Sequence, residues 1–397
     1  MRSSIPLCFI VFATIAATSS AQQKLSSILP TEETAARHGL VRQWYGFAPV
    51  DGVREVVQRA MVVGNQVHLQ TNASRIHVMH GETGKVLWSA QLGLPIPGQF
   101  GSAVNSDSVF VINGSELYRL SREDGSMLWS LRLPQAANAA PAADEGRVMV
   151  STLDGRVYIY NIHSKELMWF YQTGGSVSMP AALLDDKIAC ASQDGKMYVF
   201  QSASRNPMFR YETDKPVSAP MSVWGRYVLI ASQDFNVYSV DVRTGDTAWR
   251  YSSGSDIRQP LTIIENDVFV TPEGSGLHVI DAETGPVAGR PKWWHPRAED
   301  FVTASANRVY ATDKFGQLLT LDRSNGRQLG IWDTHNFDYH VRNESNDRLY
   351  LATKTGMVVC LREKENKQPV EHKKVLPPSP AGIDVRKPAA GKAAAAK

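Results

Sequence analysis

The chain has 397 residues, a formal net charge of +3 and three cysteines. Setting apart a basic C-terminal stretch, 363–397, leaves a slightly acidic body. That excludes nucleic acid as the main partner, because phosphate binding runs on an excess of Lys and Arg. A body of this length can bury a core large enough to fold without disulfides.

The first 21 residues read as a signal peptide. Arg2 is followed by the 13-residue apolar run IPLCFIVFATIAA, and Ser19 and Ala21 stand as small residues before Gln22. The run is too short to span a bilayer as a helix. Cys8 sits inside it, too early to be the lipid-attached first residue of a mature chain. The expectation is a periplasmic or secreted monomer. Residues 22–40 form a lead-in: Thr31 caps a short helix with Glu32 and Glu33 early, Arg37 and His38 late, and Gly39 as its stop.

From residue 41 the chain counts in forties. Trp88, Trp129, Trp169, Phe209 and Trp249 are separated by 41, 40, 40 and 40 residues, and Trp293 and Trp332 follow after 44 and 39. Pro141, Pro180, Pro220 and Pro260 keep that register, as do Asp154, Asp194 and Asp234, each 15 residues before an aromatic. Such a period is that of a propeller whose blade holds four short strands. Runs such as 148–150 and 228–230 are apolar at successive positions, as strands covered on both faces are. Residues 241–251, DVRTGDTAWRY, show how a unit ends. Thr244-Gly245 reverses the chain, since glycine accepts positive φ, and Trp249 rides on the next strand. A lone hairpin cannot bury an indole, whereas the groove between adjacent blades can.

Eight units are visible. The eighth, 349–361, has no aromatic strand after it, while VRQWYGF at 41–47 supplies Trp44 at the other end. An N-terminal strand that completes the last blade closes the ring and removes its free edges. The fold class is therefore all-β: an eight-bladed β-propeller of four-stranded blades over 41–362. Trp44, Trp88, Trp129, Trp169, Phe209, Trp249 and Trp332 dock blade on blade. Cys190 and Cys360 fall in units four and eight, too far apart for a disulfide, which needs Cα atoms within about 7 Å. The Lys/Pro/Ala-rich stretch 363–397, with eight Lys or Arg against four acids, has no core spacing. It reads as a disordered tail that touches anionic surfaces weakly.

DGRVYIY at 154–160, QDGKMYVF at 193–200 and DVRTGDTAWRY resemble the PQQ-type propeller repeat. The resemblance covers 41–362, is clearest in units three to five, and departs in unit six at DAETGPVAGRPKWW, where extra residues precede the Trp. It implies one of two branches. One is the quinone-dependent alcohol and sugar dehydrogenases. The other is a non-catalytic branch resembling BamB, an eight-bladed lipoprotein subunit that helps assemble outer-membrane barrel proteins. The quinone enzymes hold PQQ between a Trp and a ring of two adjacent Cys, with Ca²⁺ on Glu and Asn oxygens and an Asp base. This chain has no Cys-Cys pair, no Cys-x-x-Cys-His for haem, and inserts of only a few residues between repeats. The implied branch is the non-catalytic one, without catalytic residues or cofactor; PQQ with calcium enters only under the dehydrogenase alternative. The anchoring Cys of BamB has no counterpart here.

GETGK at 81–85 lacks the span and the Ser/Thr of a phosphate loop. His335, Asp338 and His340 could ligate a metal, but their spacing fits no zinc pattern, so none is expected. Asp241 and Asp281 share a column with Asn161, Asp322 and Arg362 and read as turn acceptors. Residues ahead of the inner strands should rim the channel mouth: Arg59, Gln99, Asp256, Arg258, Gln259, Glu299, Asp300, Asp338, His340 and Arg342. Their mixed charge suits a peptide or protein segment. Trp293-Trp294 offers one docking ring and one exposed contact, or two rings buried by the insert. The sequence thus reads as a non-enzymatic, extracytoplasmic scaffold for a protein partner in the cell envelope. A PQQ-dependent oxidoreductase and a polysaccharide-binding module are the alternatives.

Overall fold

The computed structural model describes residues 29–95 and 101–373, and among them 32 strands form eight four-stranded antiparallel sheets. The expectations for 1–21, for Gln99 and for 374–397 lie outside the described residues. Each sheet is one blade. In the fifth, β18 (Ser222–Trp224), β19 (Tyr227–Ala231), β20 (Asn236–Asp241) and β21 (Thr247–Ser252) stand side by side in chain order. The first strands of neighbouring blades touch, so they line the central channel.

The core is divided among the blade interfaces. Val228, Leu229 and Ile230 are all buried, because one face of a blade packs on the blade before and the other on the blade after. Leu229 and Ala231 join Val268, Val270 and Ile280 of the next blade, while Val228 and Ile230 join Ala189 and Val199 of the preceding one. The same arrangement continues to the seam, where Val67, Leu69 and Met79 of the first blade pack on Tyr350, Val358 and Cys360 of the last.

The N-terminal strand closes the ring. β1 (Leu40–Phe47) pairs antiparallel with β32 (Met357–Glu363), Trp44 opposite Cys360, giving the sheet order β1-β32-β31-β30 with β31 (Leu349–Ala352) and β30 (Tyr339–Val341) inside. Before it, α1 (Glu32–Arg37) starts where the Thr31 hydroxyl accepts the Thr34 N–H at 3.1 Å and stops at Gly39, φ 71°. His38 then stacks on Trp332 at 5.3 Å. In blade eight the outer strand arrives from the N-terminus, so this helix end takes the place of the turn that other docking aromatics meet.

The tail boundary needs correction. Residues 364–372 are not a free tail. Asp347 N–H donates to the Val370 carbonyl at 3.2 Å, Val370 N–H donates back to the Asp347 carboxylate at 2.9 Å, and His372 N–H donates to the Ser345 carbonyl at 3.0 Å. A buried carboxylate, Asp347, holds the segment, and composition alone gives no sign of that.

Candidate functional site

The recurring aromatics are joints between blades. Trp249 Nε1 donates to the Ala282 carbonyl of the next blade at 2.9 Å. Trp44, Trp88, Trp129, Trp169 and Trp293 do the same to Gly81, Arg122, Ile162, Ser202 and Arg323, at 2.7–3.0 Å. Each ring lies on the turn after the third strand of the neighbouring blade. A methyl group at Gly285, φ 70°, would stand 2.5 Å from Trp249 Cγ, and one at Gly245 would stand 3.2 Å from the half-buried Phe209. The Thr-Gly turn therefore has two causes, its backbone conformation and the aromatic that covers it. Asp241 and Asp281 serve these turns, their Oδ1 atoms accepting the Arg243 and Glu283 N–H groups at 2.9 and 3.0 Å.

The opposite face, here the loop face, carries the loops into each inner strand and the turns between second and third strands. A repeated hydroxyl pins it: Thr173, Thr213, Ser253 and Thr334 donate to the carbonyls of Gly155, Gly195, Phe235 and Gly316 at 2.7–3.0 Å. Beside them Asp194 and Asp234 accept the Tyr198 and Tyr238 hydroxyls at 2.5 and 2.7 Å. Burial, and with it that bond, raises the Tyr198 phenol to about 12. At the tightest point of these turns stands a left-handed residue, glycine at 155, 195, 276, 316 and 356. In blade five it is Phe235, φ 67°, with 45% of its surface exposed. Phe315 and Leu153, on the turns of blades seven and three, are 64% and 59% exposed.

The sequence-derived rim does not converge on one point. Asp256 binds Arg258 at 2.9 Å, and Arg258 also reaches Glu273 at 3.2 Å. Asp338 accepts the Lys354 N–H at 2.7 Å. Arg59, Gln259, Glu299 and Asp300 are exposed on or just ahead of inner strands. His340 instead faces Thr334 Oγ1 at 2.7 Å, and burial lowers its imidazole to about 4. Arg342 is a correction. It lies inside the channel rather than at the mouth, because loop 342–348 folds inward past blade seven and Arg342 donates to the Pro260 carbonyl of blade six at 2.6 Å. Glu344 follows it, accepting the Thr262 hydroxyl at 3.1 Å. Glu344 keeps surface exposed to the channel and Arg342 is half-buried, yet desolvation by the protein crowded around them raises the Glu344 carboxyl and lowers the Arg342 guanidinium.

Trp293 and Trp294 separate. Trp293 docks and is buried, so of the two candidates for an exposed contact it drops out; Trp294, one residue on and hence on the opposite side of the strand, is 60% exposed. His335, Asp338 and His340 do not meet: His335 pairs with Asp333 at 2.5 Å, away from the partners of the other two. Among the described residues no three His, Cys, Asp or Glu side chains are placed to hold a metal. Cys190 and Cys360 are buried, unpaired and in different blades, so the adjacent-cysteine ring of a quinone site has no counterpart, and the residues present do not fit PQQ.

Three features escape the repeat count. Trp224 sits on an inner strand outside the 40-residue register, its Nε1 donating to Glu265 O at 3.2 Å. Arg348 is fully buried at the seam. Phe235 could have been found, because it breaks the column of glycines that begins at Gly155 and Gly195.

A family model described as outer membrane protein assembly factor BamB matches residues 72–204 and again 172–291, together more than half of the chain. Over 128 residues the chain is 24% identical to the outer membrane protein assembly factor BamB of Burkholderia pseudomallei (strain K96243), covering 32% of this chain and 30% of that protein. The match thus spans less than a third of that relative. The crystal structure of BamB from Moraxella catarrhalis shares the fold with a TM-score of 0.65 at 16% identity, over 83% of this chain and 99% of that one. The computationally designed Ika8 protein gives 0.65 at 17% identity, over 79% and 98%. With its eight blades, its indole joints and this match, the chain belongs to the family described as outer membrane protein assembly factor BamB.

Proposed function

We propose that this protein is a non-enzymatic scaffold of the cell envelope whose loop face holds a segment of a protein partner. One observation carries the reading: Phe235 occupies a left-handed backbone position with nearly half of its surface exposed, where five other blades place glycine. A bulky residue there costs about 1–3 kcal/mol of backbone strain while 45% of its surface stays in water in the free protein. Such a residue makes sense as an anchor that a partner covers. Phe315 and Leu153 add apolar points on the same face, and the Asp256–Arg258–Glu273 and Asp338–Lys354 groups set charge register around them. The signal-peptide pattern of 1–21 favours a periplasmic site of action. The name carried by the relatives favours a partner in outer membrane protein assembly.

The test is Phe235→Gly. The variant should gain about 1 kcal/mol of stability, because the strain is relieved, while protein crosslinks formed in the native envelope disappear. A variant that is more stable and still crosslinks normally would remove the loop face from the binding reaction.

A further inference from the structure

The ring has a second fastening beyond its N-terminal strand. After β32 the chain crosses the turn face as residues 364–372, against the loop 342–348 of the same blade. Lys364 N–H donates to Gly39 O at 3.1 Å, just ahead of β1. Asn366 Nδ2 and Val370 N–H donate to the two oxygens of the buried Asp347 at 2.7 and 2.9 Å. His372 ends the path. Its Nδ1 meets the Glu344 carbonyl at 3.1 Å and its Nε2 the Ala304 carbonyl at 2.8 Å. Ala304 ends the inner strand of blade seven, β26 (Asp300–Ala304). Val302, two residues before it on the same strand, accepts the Asn343 N–H at 2.8 Å. The loop and the segment therefore occupy one edge of β26 together, at the lip of the channel.

Arg348 ties these pieces to the first blade. All five of its N–H groups have acceptors. Nε and one N–H of Nη2 go to the Glu82 carboxylate of blade one at 3.1 and 3.3 Å. Nη1 reaches Asp347 Oδ1 at 3.1 Å and Asn366 O at 3.3 Å, and Nη2 also reaches Lys367 O at 3.1 Å. The side chain is 0% exposed. Without 366–367 two donors of a buried cation lose their acceptors, a loss expected to disturb the whole knot.

We propose that residues 364–372 are a strap. Knotted through Arg348, it holds loop 342–348 inside the channel and locks the seam between the last blade and the first. Release of the strap frees Arg342 and Glu344 from blade six and widens the channel. The proposal does not depend on the partner reading above, since the contacts are all within the chain.

Hydrogen exchange followed by mass spectrometry tests it on three proteins: the full chain, a chain ending after Lys373, and a chain ending after Glu365. The chain ending at Lys373 should match the full chain. The chain ending at Glu365 should exchange at least tenfold faster over 342–348 and faster in β1. Should that chain fail to fold, Val370→Pro in the full chain removes one N–H donor to Asp347 and should speed exchange of 343–347 by a similar factor. Exchange over 342–348 that is unchanged in the shortened chain, or in Val370→Pro, would overturn the strap.

Discussion

At the scale of single residues, the joints between blades depend on small groups under large rings. Gly285 and Gly254 both have positive φ, 70° and 80°, but only Gly285 lies beneath an indole, whereas Gly254 has open space. Gly254→Ala should therefore cost about 1 kcal/mol of backbone strain. Gly285→Ala should cost several times that, because Trp249 must leave its seat. Urea titrations of the two variants compare them directly, and equal losses would mean that turn conformation alone selects the glycine. A second residue sets acid sensitivity. His68 is buried over the edge of Trp88, and desolvation, with Arg122 nearby, lowers its imidazole to about 3. The unfolded chain takes up that proton below pH 6.5 and the folded chain refuses it. His68 thus contributes full stability above pH 6.5 and progressively less as pH falls toward 3. Between pH 7.5 and 5.0 the loss should be about 2 kcal/mol, and His68→Met should remove that share of the pH dependence.

At the scale of elements, the seam carries the most weight. β1 supplies the outer strand of blade eight and Trp44 supplies its joint to blade one. Deleting 22–47 should open the ring, giving unfolding or strand-exchanged oligomers by light scattering. A deleted form that melts as a monomer at the original temperature would refute closure by β1. Much of this level was legible in the sequence. A blade buried on both faces forces apolar runs, and a joint repeated around a ring forces an aromatic at a fixed interval, so the period of 40 reports architecture directly. The site was less legible. Arg342 precedes a loop whose inward fold depends on Asn343 and Thr303, residues with no repeat partner. Residues 364–372 look like tail by composition, and individual bonds, those to Asp347 and from Arg348 among them, make them part of the fold. Trp224 escaped because its indole is used once, off the register.

At the scale of the whole molecule, eight blades share their cores pairwise, so no single blade is stable alone and the ring behaves as one rigid platform. Away from the strap and the loop it holds, such a platform presents a fixed constellation of side chains to a partner. Its two faces differ in kind. The turn face is committed to internal fastening by the docked rings, the Asp-capped turns and the segment after β32. The loop face offers the exposed rings of Phe235 and Phe315 among charges that pair with one another. The central claim, binding through the loop face, is tested by placing a photo-crosslinking residue at position 235 and, separately, at Asp246 on the turn face, then irradiating the native envelope. The account predicts a discrete protein adduct from position 235 and none from position 246. No adduct at 235, or the same adduct from both positions, would contradict it.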